Sequence, residues 1–371
     1  METAVLTIDE SSGDDPQIRV AARAIAAGHL VVFPTETVYG VGTSAVNRDA
    51  VDALNRLKQR PQDKPFTLHL ADPGEAEPYA GTLSPVAQRL IRKAWPGPLT
   101  LVVPDRRTAA GKPGDLVEDS LYYEHTVGLR CPDHVVGRAI LREAGVPVVG
   151  TSANLAGHAP PRRAAEALAD LGGKVHLVVD SGPTRCALAS TVVRIRPDDS
   201  YEVLREGAVP ASRVARLAVT RILFVCTGNQ CRSPMAVGIA RQVLAQRLGC
   251  APGQLQARGI EVLSAGTATG GGYPATPNAI RAMAEKGIDI RDHRSRAMTV
   301  DLLRSADYIW VMSQGHRSDV AALVRSAGLP LALVDPTGRE VSDPVGGDLE
   351  QYRACARHIE AALARRLTEI V

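Results

Sequence analysis

The sequence predicts two α/β domains in one chain, and three observations carry this reading. At 371 residues the chain is longer than one ordinary hydrophobic core organises. Short apolar runs alternate with helix-period segments along its whole length. The alternation also starts afresh at Arg221, after a stretch near residues 208–220 with no long Gly/Ser linker. The expected domains are 1–215, an α/β domain with one principal mixed sheet, and 219–371, a small doubly wound parallel sheet.

In the first domain the expected strands are Leu30–Phe33, Phe66–Leu70, Leu99–Val103, Thr126–Leu129, Val146–Val149, Val175–Val179 and Thr191–Ile195. Helical spacing places Val51, Leu54 and Leu57 on one face of Asp49–Gln59, and Val86, Leu90 and Ala94 on one face of a helix from Ser84. In the second domain Ile222–Val225 reads as a buried strand. A tight polar loop follows, and Ser233-Pro234 reads as an N-cap with proline at the first helical position. Further expected elements are Ile260–Ser264, a helix from Pro277 to Lys286, Tyr308–Met312 and a helix after Ser313. A closing helix carries Tyr352, Ala356, Ile359, Leu363 and Leu367 on one stripe.

Composition excludes several function classes. With 45% hydrophobic and 22% charged residues the chain is globular. The net charge of +3 divides into +4 for residues 219–371 (18 Lys+Arg, 14 Asp+Glu) and −1 for the rest (25 and 26). Neither part is a polybasic nucleic-acid clamp. No apolar run of membrane-spanning length and no leader pattern is visible, so neither membrane association nor export is expected. The six cysteines include no C-x-x-C pair and no zinc-type Cys/His spacing, so no protein-bound metal is expected. A reducing bacterial cytoplasm is the expected location.

The loop Cys226-Thr227-Gly228-Asn229-Gln230-Cys231-Arg232-Ser233-Pro234 carries the chemistry of the second domain. A strand–loop–helix turn aims backbone N–H groups and a helix N-terminus at one spot, which binds anions. Arg232 adds a forked cation for phosphate oxygens. Cys226 at the edge of that cradle would have its thiolate, the nucleophilic form, stabilised. Gly228 permits backbone geometry that other residues resist. Asp343-Pro344, in the turn before the closing helix, offers a general acid for the leaving group.

With Ser264-Ala265-Gly266 and Asp343-Pro344-x-Gly-Gly, this half resembles the low-molecular-weight protein tyrosine phosphatases over about 150 residues. The resemblance implies Cys226 as nucleophile, Arg232 as phosphate clamp, Asn229 as loop organiser, Ser233 as thiolate stabiliser and Asp343 as acid, with no cofactor. Cys231 reads either as a small buried side chain or, as the resemblance implies, as the partner of Cys226 in a reversible, protective disulfide. Gln230 is polar where tyrosine-directed members carry an apolar residue, and the loop looks more like the bacterial protein-arginine phosphatases (YwlE type). Those have threonine at the Gln230 position and phenylalanine at that of Val345. Phosphoarginine is therefore the expected substrate, with phosphotyrosine the alternative. Arsenate reductases share the loop but need a further cysteine pair, and residues 251–354 contain no cysteine.

The first domain has no G-x-x-x-x-G-K-[ST] loop. Its polar signatures are Pro34-Thr35-Glu36-Thr37-Val38-Tyr39-Gly40, Lys58-Gln59-Arg60-Pro61 and Thr151-Ser152-Ala153-Asn154. Taken alone, Lys58 and Arg60 read as a helix C-terminal cap complementing the dipole. Together with Pro65-Phe-Thr-Leu-His69, Trp95-Pro-Gly-Pro-Leu-Thr100, Val127-Gly-Leu-Arg130, Ser190-Thr191-Val and Leu204-Arg205-Glu-Gly207, these segments resemble the YrdC-like threonylcarbamoyl-AMP synthases over residues 10–208. The resemblance implies synthesis of threonylcarbamoyl-adenylate from L-threonine, bicarbonate and ATP with Mg²⁺, for the t6A modification of tRNA. Lys58 and Arg60 would act on the phosphates, Ser152, Asn154 and Arg205 would bind ATP, and Thr35, His69, Arg130 and Ser190 would line the threonine pocket. Ala189 stands where the family usually has glutamate. A threonylcarbamoyltransferase partner would complete the tRNA step, and a phosphorylated protein would be the phosphatase substrate. The alternative for this half is a non-catalytic RNA-binding module, against which its charge of −1 speaks. Carbamoyl transfer in hydrogenase maturation is disfavoured because no zinc-finger C-x-x-C is present.

Overall fold

The computed structural model describes residues 2–59, 64–107, 116–324 and 331–370. They divide into two compact units, Met1–Ala218 and Val219–Val371.

The first unit runs β1 (Ala4–Thr7), α1 (Pro16–Ala26), β2 (Val31–Phe33), β3 (Gly40–Ser44), α2 (Arg48–Lys58), β4 (Thr67–His69), α3 (Glu77–Ala80), α4 (Pro85–Ala94) and β5 (Leu99–Pro104). It continues with β6 (Tyr122–Tyr123), β7 (Thr126–Arg130), α5 (Val135–Ala144), β8 (Val148–Ser152), α6 (Ala164–Leu171), β9 (Leu177–Asp180), β10 (Thr191–Ile195), β11 (Tyr201–Arg205) and α7 (Ala211–Ala218). Helix starts follow local chemistry. The Asp15 carboxylate accepts from Gln17 N with Pro16 at N1, Asn47 accepts from Ala50 N, and Ser84 accepts from Ala87 N. The sheet is mixed, in the order β1-β9-β2-β3-β8-β4-β7-β5-β10-β11, with β6 paired to β7. Its central strands are buried on both faces: in β2, Val32 joins the core under α2 and α4, while Val31 and Phe33 join the core under α1 and α5.

Two departures from the sequence reading shape the site. The unexpected strand β3 reads Gly-Val-Gly-Thr-Ser, without the apolar run that announces a strand. Its glycines allow close approach instead, since a Cβ on Gly42 would lie 2.7 Å from the Val149 carbonyl and 3.0 Å from the Phe33 ring. β8 starts two residues later than expected and runs to Ser152, which pairs with Gly40 across an antiparallel ladder. Ser152 is thus carried on a strand end and not in a free turn.

The second unit runs β12 (Thr220–Cys226), α8 (Arg232–Arg247), β13 (Ile260–Gly266), α9 (Pro277–Ala284), α10 (Val300–Ser305), β14 (Tyr308–Val311), α11 (Gln314–Val324), β15 (Leu331–Leu333) and α12 (Leu349–Arg366). All strand pairs are parallel, in the order β13-β12-β14-β15. Helices cover both faces. Ile222 and Phe224 pack with residues of α8, α9 and α12, while Leu223 and Val225 pack with residues of α10 and α11. This is the doubly wound arrangement, and it places the C-terminal end of β12 at the functional loop. No described helix is long and apolar enough to cross a membrane.

Candidate active sites

In the second unit the loop of residues 227–231 joins the end of β12 at Cys226 to α8. Asn229, in the left-handed region at φ 55°, organises it. Its Nδ2 donates to Ser233 Oγ (2.8 Å), its Oδ1 accepts from the Arg296 backbone N–H (2.8 Å), and its carbonyl accepts from His293 Nε2 (2.6 Å). Gly228 does not supply the unusual geometry: it is not left-handed, and a Cβ there would meet no atom within 4 Å. Ser233 is not the N-cap either. Cys231 holds that position, so Pro234 falls at the third helical residue, where an intrahelical N–H partner is not needed. The Ser233 hydroxyl is turned inward, 2.9 Å from Cys226 Sγ. Because Ser233 Oγ already accepts from Asn229, its own proton is available to the sulfur and favours thiolate. Burial, the largest influence, pushes the Cys226 thiol up, against the downward pull of Ser233, Arg232 and Asn229.

Arg232 is buried and reaches three groups: Nη2 donates to Thr227 Oγ1 (3.2 Å) and to Asp343 Oδ2, and Nη1 to the Val341 carbonyl (3.3 Å). Its Nε is buried with no partner among the described residues, a donor that an oxyanion would satisfy. Asp343 also receives the Val345 N–H (3.2 Å). Gln230 is half-buried and Val345 is 67% exposed. Cys231 Sγ lies 3.4 Å from the Tyr352 hydroxyl and 3.5 Å from Thr276 Oγ1. Sequence reasoning did not single out His293, or His316, which bridges Thr227 Oγ1 (2.9 Å) and Ser313 Oγ (2.7 Å). Both lie far along the chain from the loop, and nothing local marks them.

The first unit contains a cleft of about 480 Å³ whose walls include Thr35, His69, Arg130, Ser152, Ser190 and Arg205. Lys58 and Asn154 join this set through Ser152. Lys58 Nζ donates to the Ser152 carbonyl (2.8 Å), to the Asn154 carbonyl and to Asn154 Oδ1 (3.2 Å), and Ser152 Oγ donates to Asn154 Oδ1 (2.5 Å). Lys58 therefore stitches α2 to the end of β8, and does not act as a solvated cap of its own helix. Arg60 lies outside the described residues. Ser190 Oγ is 2.8 Å from Thr100 Oγ1, and Arg205 donates to the Ser190 carbonyl (2.9 Å).

Arg130 has a partner the sequence reading did not assign. Its Nη2 is 2.9 Å from Glu36 Oε2 and 2.6 Å from Thr37 Oγ1, with both charged side chains under 10% exposed (7% and 3%). Among the described residues each still keeps one buried polar atom without a partner, Arg130 Nε and Glu36 Oε1, and so does Arg194 Nε on the cleft wall.

His69 is held neutral, its pKa pushed down to about 3 by burial first and by Arg130 second. Its Nδ1 is 3.1 Å from the Thr67 carbonyl, which can only accept, so Nδ1 carries the proton and Nε2 is left as an acceptor. Because the folded value lies below the ordinary 6.5, the unfolded chain takes up this proton first. The associated stability is complete above about pH 6.5 and is lost as pH falls toward 3. His69→Gln is expected to flatten the decline of the urea midpoint between pH 6.5 and 4. A decline as steep as that of the parent protein would overturn this.

Residues 23–207 match the family model for Sua5, YciO and YrdC, described as telomere recombination, and residues 221–371 match that for low molecular weight phosphotyrosine protein phosphatases. The chain is 39% identical over 206 residues to the threonylcarbamoyl-AMP synthase of Bacillus subtilis, covering 56% of this chain but only 58% of that protein. It is 38% identical over 197 residues to the putative threonylcarbamoyl-AMP synthase of Mycobacterium tuberculosis H37Rv, covering 53% of this chain and 87% of that one. The crystal structure of Pyrococcus abyssi Sua5 complexed with L-threonine shares the fold, at a TM-score of 0.53 and 20% identity over 97% of this chain and 98% of that one. The chain thus belongs, through its N-terminal half, to the Sua5/YciO/YrdC family, and its C-terminal half is a low molecular weight phosphotyrosine protein phosphatase domain.

Proposed function

We propose that the chain is a bifunctional enzyme. Its first unit joins L-threonine, bicarbonate and ATP into threonylcarbamoyl-adenylate and pyrophosphate, and its second unit hydrolyses phosphorylated protein. The observation that best supports the first activity is the convergence of Thr35, His69, Arg130, Ser152, Ser190 and Arg205 on one cleft. A carbamate oxygen of the substrate attacks the α-phosphorus and pyrophosphate leaves, so cations near the phosphates stabilise the growing charge. Arg205 and Arg60 serve that purpose. Lys58 positions Ser152 and Asn154 for the nucleotide. The unpartnered Arg130 Nε takes the amino-acid carboxylate, and neutral His69 accepts a hydrogen bond. Among the described residues no three His, Cys, Asp or Glu side chains are grouped to hold a metal; Mg²⁺, when bound, would be held by the ATP phosphates and would offset their charge. The adenylate then passes to a threonylcarbamoyltransferase that modifies tRNA.

Purified protein is expected to release pyrophosphate in a threonine-dependent way, with Lys58→Ala lowering kcat/KM by about 10²-fold, the scale set by misplacement of substrate groups. Release that is independent of threonine would sink this assignment.

In the second unit the supporting observation is the Cys226–Ser233–Asn229 chain facing the unpartnered Arg232 Nε. Phosphate entering the loop competes with Asp343 for Arg232 and releases that carboxyl. Cys226 Sγ attacks phosphorus as Asp343 protonates the leaving atom. Asp343 then activates the water that cleaves the S–P bond. The polar, half-buried Gln230 favours phosphoarginine, whose guanidinium donates hydrogen bonds that a phenyl ring lacks. With matched peptides, phosphoarginine is expected to be hydrolysed at least about 10-fold faster, equivalent to one hydrogen bond of about 1.4 kcal/mol. A preference for phosphotyrosine would overturn the substrate choice and leave the phosphatase chemistry standing. Peroxide is expected to join Cys226 to Cys231 reversibly.

A further inference from the structure

A second cleft in the second unit, about 500 Å³, is lined by α8, the middle of β13 and residues 287–296. Arg241 from α8 and Arg294 and Arg296 from the loop segment line it, and neither Arg241 nor Arg296 makes an ion pair among the described residues. Among the described residues Arg241 Nη2 donates to the Val262 carbonyl (3.0 Å), and its pKa is lowered by partial desolvation and then by the proximity of Arg296. The acids nearby do not neutralise the pair. Asp289 has both oxygens on Arg291 (2.6 and 3.0 Å), and Glu261 is taken by Arg221 (2.5 Å). That leaves Asp292 against Arg241, Arg294 and Arg296 on the walls. Pro234, Val237, Ile288 and Ile290 supply an apolar wall, beside the polar Gln242, Ser264 and His293.

The same segment grips the catalytic loop. His293 and the Arg296 backbone hold the two carbonyl oxygens of Asn229, which holds Ser233, which contacts Cys226. We propose that this cleft is a regulatory site for a small organic phosphate or phosphonate. Its anionic head bridges Arg241 and Arg296, its apolar body lies on Val237, Ile288 and Ile290, and its binding alters the hold of the segment on Asn229. The size and the mix of apolar wall with few convergent cations suit such a ligand, and the cost of keeping two like charges together is relieved by the anion. The regulatory part rests on the phosphatase reading; the binding part does not.

The probe is hexylphosphonate, which carries no hydrolysable ester, with 1-hexanol as the uncharged control. In the full chain, Cys226-dependent hydrolysis of p-nitrophenyl phosphate is expected to change in kcat as well as KM, by about 5-fold or more at saturation. Arg241→Ala and Arg296→Ala, each compared with its own rate before addition, are expected to reduce the probe to simple competition at the active site. Purely competitive inhibition of the parent protein, or an equal effect of 1-hexanol, would overturn the proposal. Binding is read independently from the His293 imidazole proton resonances. A saturable shift that Arg241→Ala removes supports the site even if no hydrolysis is found, which would instead overturn the phosphatase reading. A shift unchanged by Arg241→Ala, or none, overturns the site.

Discussion

Cys226→Ser is expected to lower phosphate release by the second unit about 10⁴-fold or more, the scale of losing an activated nucleophile. Threonine-dependent pyrophosphate release by the first unit should be untouched. The reasons are local. A serine hydroxyl at position 226 ionises far less readily than a thiol, and the groups that pull the thiol down, Ser233, Arg232 and Asn229, cannot make up that difference. Asn229→Ala is the informative companion. It removes the Nδ2 contact to Ser233 and leaves the Arg296 N–H without its acceptor, and alanine resists the left-handed backbone at this position. A loss of about 10²-fold in kcat is expected, with phosphate affinity less affected because Arg232 remains. Stopped-flow release of p-nitrophenol separates the two. Residual turnover by Cys226→Ser within 10-fold of the parent rate would remove Cys226 from the role of nucleophile.

Glu36→Ala carries the second large effect. It leaves the Arg130 guanidinium, 7% exposed, buried without its counter-charge, and breaking one side of a buried ion pair costs about 3–5 kcal/mol. Urea unfolding of the first unit measures this. Glu36→Ala/Arg130→Met, which removes both charges, should recover much of the loss, since the penalty belongs to the orphaned cation and not to the missing attraction. A loss under about 1 kcal/mol in the single variant would mean that water or another group reaches Arg130. Threonine-dependent activity should fall in both variants, because Arg130 is misplaced in one and absent from the other.

These two sites differ in how far the sequence disclosed them. The Cys226 motif is nine consecutive residues running from the end of a strand through a short loop into the first turn of a helix, so its chemistry is contained in a short stretch and could be read directly. The Glu36–Arg130 pair joins residues 94 apart on different elements. Glu36 stands inside a quoted motif, yet nothing in that motif says which cation it meets. Misread details have physical causes as well. Ser233-Pro234 imitates a helix start, but the hydroxyl that would cap the helix is committed to Cys226. β3 escaped because glycine suppresses the strand signature where two backbones crowd. The mixed sheet of the first unit and the parallel sheet of the second followed from the alternation of short apolar runs with helical segments along the chain.

The stitch made by Lys58 between the end of α2 and the Ser152–Asn154 turn also bears on the protein's chemistry as a material. A primary amine locked onto three oxygens at 9% exposure is a poor target for acylating reagents, whereas the exposed lysines are freely modified. Amine-reactive labelling therefore spares Lys58 while the fold persists, although it reaches the exposed Lys64 on the wall of the same unit's cleft. Labelling of Lys58 becomes a chemical clock for the opening of that segment, reporting local unfolding long before the core gives way.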